Sequence, residues 1–102
     1  MRHRVVVRAL AERDIDEATE HYAMIDASLA GRFLSDFRQT AQRLDRFPFA
    51  GREPYRGVRR VALDVFPYHA YYRVVGREVR IIAIIHERRD PVVVEAAVTS
   101  RR

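Results

Sequence analysis

The sequence predicts an α+β fold in which an antiparallel helical hairpin packs on a small, mainly antiparallel sheet. Apolar residues recur at helical spacing over residues 9–47 and alternate at strand spacing over residues 58–86. A short valine run between arginines, at residues 4–8, precedes both regions. The expected element order is therefore β-α-α-β-β-β. A chain of 102 residues suffices for one core, so we expect a single domain over residues 1–102.

Two amphipathic stripes define the helical hairpin. The first stripe comprises Ala11, Ile15, Ala18, Tyr22 and Ile25, and the second comprises Leu29, Phe33, Phe37, Ala41 and Leu44. Asp26 and Ser28 are the candidate caps of the second helix, because their short polar side chains accept from free N–H groups. The second helix should end near Phe47 and Pro48. Two helices joined this closely are expected to lie antiparallel.

The strands follow a loop predicted at residues 48–57, which contains two prolines and two glycines. Residues 58–65 alternate with Val61, Leu63 and Val65 on one face. Residues 68–75 form the next strand, and Gly76 opens a two-residue hairpin turn. The last strand, residues 79–86, is apolar on both faces and should lie inside the sheet. Strict alternation would put its members on two faces, Val79, Ile81, Ala83 and Ile85 against Arg80, Ile82, Ile84 and His86.

The C-terminal segment, residues 92–102, is ambiguous by sequence. Its VVVEAAV run suits a terminal strand, a helical turn or a tail that becomes ordered on a partner. Pro91 separates it from the last strand. We expect removal of residues 92–102 to spare folding but to weaken the activity of the protein; loss of soluble protein would instead place these valines in the core.

The charge balance indicates an acidic partner. The net charge is +5, the pI is about 10.4 and every basic side chain is an arginine. Guanidinium groups pair with carboxylates or phosphates, so composition alone leaves both an acidic protein and a nucleic acid open. No apolar run approaches the roughly 18 residues that span a membrane, so no membrane contact is expected. Without an export signal, the expected location is the cytoplasm.

No cofactor or metal is expected. The chain has no cysteine, which excludes disulfides, thiolate metal sites and cysteine nucleophiles. His3, His21 and His69 lack partners at metal-ligand spacing. His86, at the exit of the last strand, is the histidine best placed for acid–base chemistry, but a local hydrogen-bonding role is the simpler interpretation.

The sheet region carries the candidate binding residues. Neighbouring Arg59 and Arg60 must point to opposite faces of a strand, and alternation places Arg60 with Tyr71 and Arg73. We expect Tyr72 inside the core and Tyr71 partly exposed, where it could stack on a base or line a rim. A second arginine pair, Arg88 and Arg89, follows the last strand.

An ordered set of short motifs resembles the RelE/ParE superfamily of type II toxin–antitoxin toxins, and its ParE-like branch more than its RelE-like branch. The motifs are Ala11, Asp14 and Ile15 followed by Tyr22, then Arg32-Phe33, Phe47-Pro48 with Gly51, Gly57-Val58-Arg59-Arg60, Tyr71-Tyr72-Arg73, and the run from His86 through Glu87, Arg88, Arg89 and Asp90 to Pro91. They extend over nearly the whole chain.

The resemblance implies a small toxin neutralised by a cognate antitoxin, with which it would form a hetero-oligomer. The antitoxin segment in contact should be acidic, given the charge of the chain. ParE-like members are associated with inhibition of DNA gyrase, and RelE-like members with mRNA cleavage on the ribosome. A toxin relic that only binds its antitoxin is a further alternative.

The two activities imply different roles for the same surface. For an inhibitor, no residue is catalytic, and the expected contacts with target or antitoxin are Arg59, Arg60, Tyr71, Arg73, Arg88 and Arg89. For a nuclease, the candidate catalytic residues are Arg60, Arg73, His86 and Arg88. RelE-like nucleases often use lysines, and this chain has none. Arginine binds phosphate but does not transfer protons at neutral pH, which weakens the nuclease hypothesis.

Overall fold

A mixed five-stranded sheet carries two helices on one face and a third helix on the other. The computed structural model describes residues 2–101. The elements are β1 Arg4–Val7, α1 Ala9–Ile25, α2 Ala27–Arg46, β2 Arg52–Tyr55, β3 Val58–Ala62, β4 Tyr68–Val75, β5 Glu78–His86 and α3 Pro91–Ser100. The strand order is β1-β5-β4-β3-β2, with β1 parallel to β5 and the other pairs antiparallel. The predicted α+β class is confirmed, and β2 and α3 are added to the predicted order.

The helical hairpin turns on one residue. Asp26 has an extended backbone and its carboxylate accepts from the N–H and the hydroxyl of Ser28, both at 2.8 Å, so Asp26 is the cap of α2. The two stripes pack on the sheet as predicted, with Phe33 fully buried. Ile25 is an exception. It is the last residue of α1 and lies exposed at the tip of the hairpin.

The last strand is interior, as its apolar pattern predicted, but it contains a bulge. Tyr71 lies opposite Ala83 and Tyr72 opposite Ile81, so Ile82 has no partner of its own in β4. Ile82 and Ala83 consequently both pack on the α3 side of the sheet, whereas Ile81 and Ile84 pack against the helical hairpin. The strict alternation predicted for this strand holds through Ile82 and is wrong from Ala83 onward.

The C-terminal segment is a helix. The Asp90 carboxylate accepts from the N–H of Val92 at 2.9 Å, and Pro91 occupies the first turn, where its missing N–H costs nothing. Val94 and Val98 lie four residues apart and are buried against the sheet. They form a second core, on the opposite face from the hairpin, with Val58, Tyr71, Ile82 and Ala83.

The loop predicted at residues 48–57 is a loop only in part, because β2 lies within it. Pro54 is compatible with β2 because this strand has a neighbour on one side alone. The preceding prediction for residues 58–65 also needs correction, since β3 ends at Ala62 and Val65 is 68% exposed. No helix within residues 2–101 combines the length and apolarity needed to cross a membrane.

Candidate functional site

One face of the sheet, on the side of α3, carries a row of arginines. Strand pairing sets Arg52 opposite Arg60, Arg60 also opposite Tyr71, and Arg73 opposite Arg80. Residues directly opposite each other in a sheet share a face. We call Arg52, Arg60, Arg73 and Arg80 the arginine face. Arg60 shares this face with Tyr71 and Arg73, as alternation along the strands indicates.

The charges of the arginine face are only partly balanced. Arg80 donates from Nε to Glu78 at 2.8 Å. Arg73 donates from Nη1 to the carbonyl of Gly57 at 3.3 Å, and its buried Nε has no hydrogen-bond partner within residues 2–101. Like charges opposite each other destabilise a sheet, so the Arg73–Arg80 pair is an unfavourable arrangement for stability alone. It favours an anionic partner at this face.

Arg59 points away from the arginine face and is engaged within the fold. Its Nη1 donates to the carbonyl of Gly51 at 2.9 Å, and its guanidinium lies 5.0 Å from the ring centroid of Phe49. Glu53 lies 3.6 Å from Nη2. These contacts fix the chain segment that leads into β2. The main role visible for Arg59 is therefore structural.

Both tyrosines of the pair are buried. Tyr72 is fully buried, as predicted, and its hydroxyl accepts from the N–H of Gly51 at 3.0 Å. A Cβ at Gly51 would lie 2.7 Å from that hydroxyl, so the close approach requires glycine. Tyr71 was expected to be partly exposed, but only 3% of its surface is accessible. The reason is α3, which covers it with Val94 and Val98.

His86 lies on the opposite side of the sheet from the arginine face. It is paired with Tyr68, whose ring packs with the aromatic cluster under the hairpin, and the two ring centroids are 5.2 Å apart. Its Nδ1 accepts from the N–H of Arg88 at 3.1 Å, which fixes the turn after β5. Burial and the neighbouring Tyr22 raise the pKa of Tyr68 to about 12, so this phenol keeps its proton at neutral pH.

The four candidate nuclease residues therefore do not converge. Arg60 and Arg73 lie on the arginine face, His86 lies on the hairpin face, and Arg88 lies in the exposed turn that follows β5. A general acid or base must reach the same reacting group as the phosphate ligands. The sheet itself separates His86 from Arg60 and Arg73.

A cleft of about 430 Å³ opens between α1, the end of β5 and α3. At its base Asp14 accepts from Arg101 Nη1 at 2.7 Å and from the N–H of Ile84 at 3.0 Å. The same Arg101 nitrogen donates to the carbonyl of Ile82 at 3.0 Å. Cationic and acidic side chains both line the cleft, namely Arg13, Glu17, His21, His86 and Arg89.

No role was predicted for either partner of the Asp14–Arg101 ion pair, although Asp14 belongs to the first of the motifs that carry the family resemblance. Asp14 lies between Ala11 and Ala18 on the apolar stripe of α1, and a carboxylate at such a position is a signal for a buried partner. Arg101 carries no comparable signal, because its position depends on α3 being a helix that ends beside the cleft.

Comparison with known proteins gives three findings. The sequence model of one family, described as "ParE toxin of type II toxin-antitoxin system, parDE", matches residues 5–91. A solved structure described as "Chromosomal ParDE TA system from P. aeruginosa" contains a chain that is similar to this one, with a TM-score of 0.74 and 26% sequence identity. The similarity covers 82% of this chain and 95% of that one. A search of curated proteins found no match.

Proposed function

The chain belongs to the family of ParE toxins of type II toxin–antitoxin systems, and from this membership we propose that it inhibits DNA gyrase and is neutralised by a cognate antitoxin. The observation that carries the proposal is the family match over residues 5–91, which includes both helices of the hairpin, strands β2 to β5 and all of β1 except Arg4. The toxin acts as a binding protein in this proposal, without a catalytic residue.

The arginine face and the turn after β5 are the surface proposed for the target. Arg60 and Arg73 have no carboxylate partner among the ion pairs of residues 2–101, and Arg88 and Arg89 are exposed. Arginine is suited to bidentate contact with the carboxylates of an acidic protein surface. Arg59 and Tyr71 also remain in the expected set of contacts, but both are engaged within the fold and contribute mainly by positioning their neighbours.

The geometry disfavours the nuclease alternative. A ribonuclease needs its proton-transfer groups and its phosphate ligands around one scissile bond. Here the sheet lies between His86 and the arginine face, and the nearest phenol to His86 is the high-pKa Tyr68. The remaining candidates are arginines, which stay protonated. The arrangement supports recognition of an anionic surface in preference to cleavage of RNA.

The proposed antitoxin contributes an acidic segment, and the two proteins form a hetero-oligomer. A net charge of +5 favours a partner whose contacting surface is negative. A segment that folds on binding wraps a large area of a small protein, and this wrapping offsets the cost of its ordering.

Conditional expression without an antitoxin tests the proposal, followed by parallel assays of DNA supercoiling and of ribosome-dependent mRNA cleavage. We expect growth inhibition, relaxed or cleaved DNA and intact mRNA. Arg60→Ala with Arg73→Ala should abolish the effect on DNA, whereas Arg32→Ala, on an exposed face of α2, should retain it. The thermal stability of each purified variant separates loss of binding from loss of folding.

Two outcomes overturn the proposal. Codon-positioned mRNA cuts that disappear in His86→Ala would make the chain a nuclease. Normal growth, with DNA and mRNA both unaffected by soluble protein, would make it a relic that only binds its antitoxin.

A further inference from the structure

The edges of the sheet are protected unequally. Edge strands expose unpaired backbone groups, and proteins usually block them. β2 is blocked by Pro54 and by a register irregularity between Arg52 and Tyr55. β5 extends beyond β1 after Ile81, and there the N–H of Ile84 and the carbonyl of Ile82 are bound by the Asp14–Arg101 pair. β1 is short and begins at Arg4, but within residues 2–101 its outer edge has no proline, no register irregularity and no side-chain carboxylate bound to it.

The unpaired groups of β1 belong to Val5 and Val7. Arg4 donates its N–H to Arg77 at 2.7 Å and Arg8 donates its N–H to Ile81 at 2.9 Å, so the even-numbered residues direct their backbone groups toward β5. In a parallel ladder the intervening residues direct theirs to the other side. The N–H of His3 is already bound to the carbonyl of Asp45 at 2.8 Å. The free edge therefore begins after His3.

A shallow groove of about 350 Å³ runs along this edge, between β1 and α2. Val5, Val7, Phe37 and Ala41 give it an apolar side, and Arg38, Gln42 and Asp45 of α2 line the rest. His3 lies at the end of the groove, where its buried Nδ1 has no hydrogen-bond partner within residues 2–101. Backbone groups, an apolar floor and an unsatisfied imidazole nitrogen thus lie along one line.

The charge around the groove favours an acidic occupant, although Asp45 adds one carboxylate to its lining. Arg2 and Arg38 are exposed, and Glu78, at 2.6 Å, is the carboxylate that pairs with Arg4 among the residues that the structure describes. A second copy of the chain is a poor occupant. Its own β1 is the run RVVV, followed by Arg8, and offers no carboxylate to the arginines around the groove.

We propose that an extended acidic segment of a partner polypeptide adds to the sheet as a sixth strand beside β1. The inference rests on the proposed function, in which the antitoxin supplies this segment. Its backbone pairs with Val5 and Val7. Its side chains alternate, with branched apolar residues on the groove side and Asp or Glu on the side of Arg4.

Amide exchange of the full ¹⁵N-labelled chain tests the proposal directly. In the free protein the amides of Val5 and Val7 should exchange much faster than that of Val6, which is paired with β5. The probe is the peptide acetyl-Glu-Val-Glu-Ile-Glu-Val-Glu-amide. Its addition should slow the exchange of Val5 and Val7 selectively.

Two N-methylated peptides serve as matched controls. One carries methyl groups on its even-numbered residues and the other on its odd-numbered residues, so charge and apolar content are nearly the same. In a strand, alternate N–H groups point to the neighbour and to solvent. One peptide should therefore bind about tenfold or more weakly than the parent, from the loss of two or three hydrogen bonds, and the other should bind nearly as well.

Charge reversal on the rim of the groove gives an independent readout. Arg38→Glu should weaken binding of the peptide, whereas Arg32→Glu, on the same helix but outside the groove, should leave binding unchanged. Unchanged exchange of Val5 and Val7 at saturating peptide, or equal binding of both methylated peptides, overturns the proposal. If an antitoxin rescues growth while Val5 and Val7 stay unprotected in the complex, strand addition fails and the proposed function stands.

Discussion

Asp36 determines where β3 ends. Its side chain belongs to α2 and is only 4% exposed, yet it is a carboxylate among apolar neighbours. Three backbone N–H groups satisfy it, those of Asp64 at 3.1 Å, Val65 at 3.0 Å and Phe66 at 2.8 Å. This arrangement turns the chain between β3 and β4, and it explains why Val65 projects into solvent.

Replacing Asp36 by alanine should lower the free energy of unfolding by about 3 kcal/mol, because three donors lose a charged acceptor. Urea unfolding followed by circular dichroism measures the change. Gln39→Ala, one turn along on the exposed side of α2, should stay within about 0.5 kcal/mol of the parent. Equal effects of the two substitutions would show that the turn does not depend on this carboxylate.

His69 should make the fold sensitive to mild acid. Burial lowers the pKa of His69 below its usual 6.5, and nearby Arg60 lowers it further. Protonation is then easier in the unfolded chain than in the folded one, so stability decreases as the pH falls below about 6.5. We expect the melting temperature of His69→Gln to change less with pH, between about pH 7 and pH 5, than that of the parent protein. His21→Gln, at an exposed position, is the control, and an unchanged slope in His69→Gln would contradict the prediction.

At the residue scale, the sequence predicted burial correctly for residues that belong to an apolar stripe. Tyr72 and Phe33 belong to such stripes and are buried. Tyr71 does not, and its burial depends on a helix formed 20 residues later in the chain. The role of Asp36 was likewise not predictable, because its three partners come from a turn that local sequence does not place beside α2.

The third helix is held by two of its valines. Val98→Ala should cost about 2 kcal/mol in unfolding free energy, because it leaves a cavity against the second core. Val92→Ala is the matched control, since Val92 is 74% exposed, and it should be nearly neutral. Differential scanning calorimetry distinguishes them. Similar melting temperatures for both variants would mean that α3 is only loosely docked.

Removal of residues 92–102 should reduce the yield of soluble protein, because it uncovers Tyr71, Ile82 and Ala83. The sequence predicted that this truncation would spare folding, and the burial of Val94 and Val98 reverses that expectation.

The Asp14–Arg101 ion pair connects the C-terminal end of α3 to α1. Its side chains are 17% and 18% exposed, so solvent screens the pair less than it would a surface ion pair. A double-mutant cycle with Asp14→Asn and Arg101→Ala should give a coupling energy of about 1 kcal/mol or more. Strictly additive losses of stability would show that each residue acts through its other contacts.

At the element scale, long periodic segments were predictable and short apolar ones were not. The hairpin was defined by two stripes and by the capping chemistry of Asp26. The bulge at Ile82 was not predictable from the sequence. Ile81, Ile82, Ile84 and Ile85 are all apolar, so no polar residue indicates which of them share a face of the sheet. Residues 92–98 favour strand by composition, but the Asp90 cap and the spacing of Val94 and Val98 favour helix.

The net charge of +5 is a property of the whole molecule, and it should govern how fast partners associate. Electrostatic attraction between a basic toxin and an acidic antitoxin raises the association rate constant at low ionic strength. We expect an increase of about tenfold or more between about 0.5 M and about 0.02 M salt, as the screening length grows. Stopped-flow fluorescence measures it, and a rate independent of salt would contradict the prediction.

Composition predicted an acidic partner but not which face receives it. Arg60 and His86 lie on opposite faces of the sheet because of the strand pairing, and β1 has a free edge because it is the outermost strand. Both are properties of the assembled sheet. No local pattern in residues 4–7 distinguishes an edge strand from an interior one.

The pairing of β1 with β5 has a consequence for synthesis. Arg4 and Glu78 are partners although 74 positions separate them along the chain. A ribosome releases the N-terminal half first, so the hairpin emerges with its apolar stripe uncovered and β1 has no strand to join. The sheet closes only after β5 has left the ribosome, near the end of translation. An unfinished copy therefore has neither the arginine face nor the paired β1 strand, so the two surfaces proposed for the target and the antitoxin form together in the completed protein.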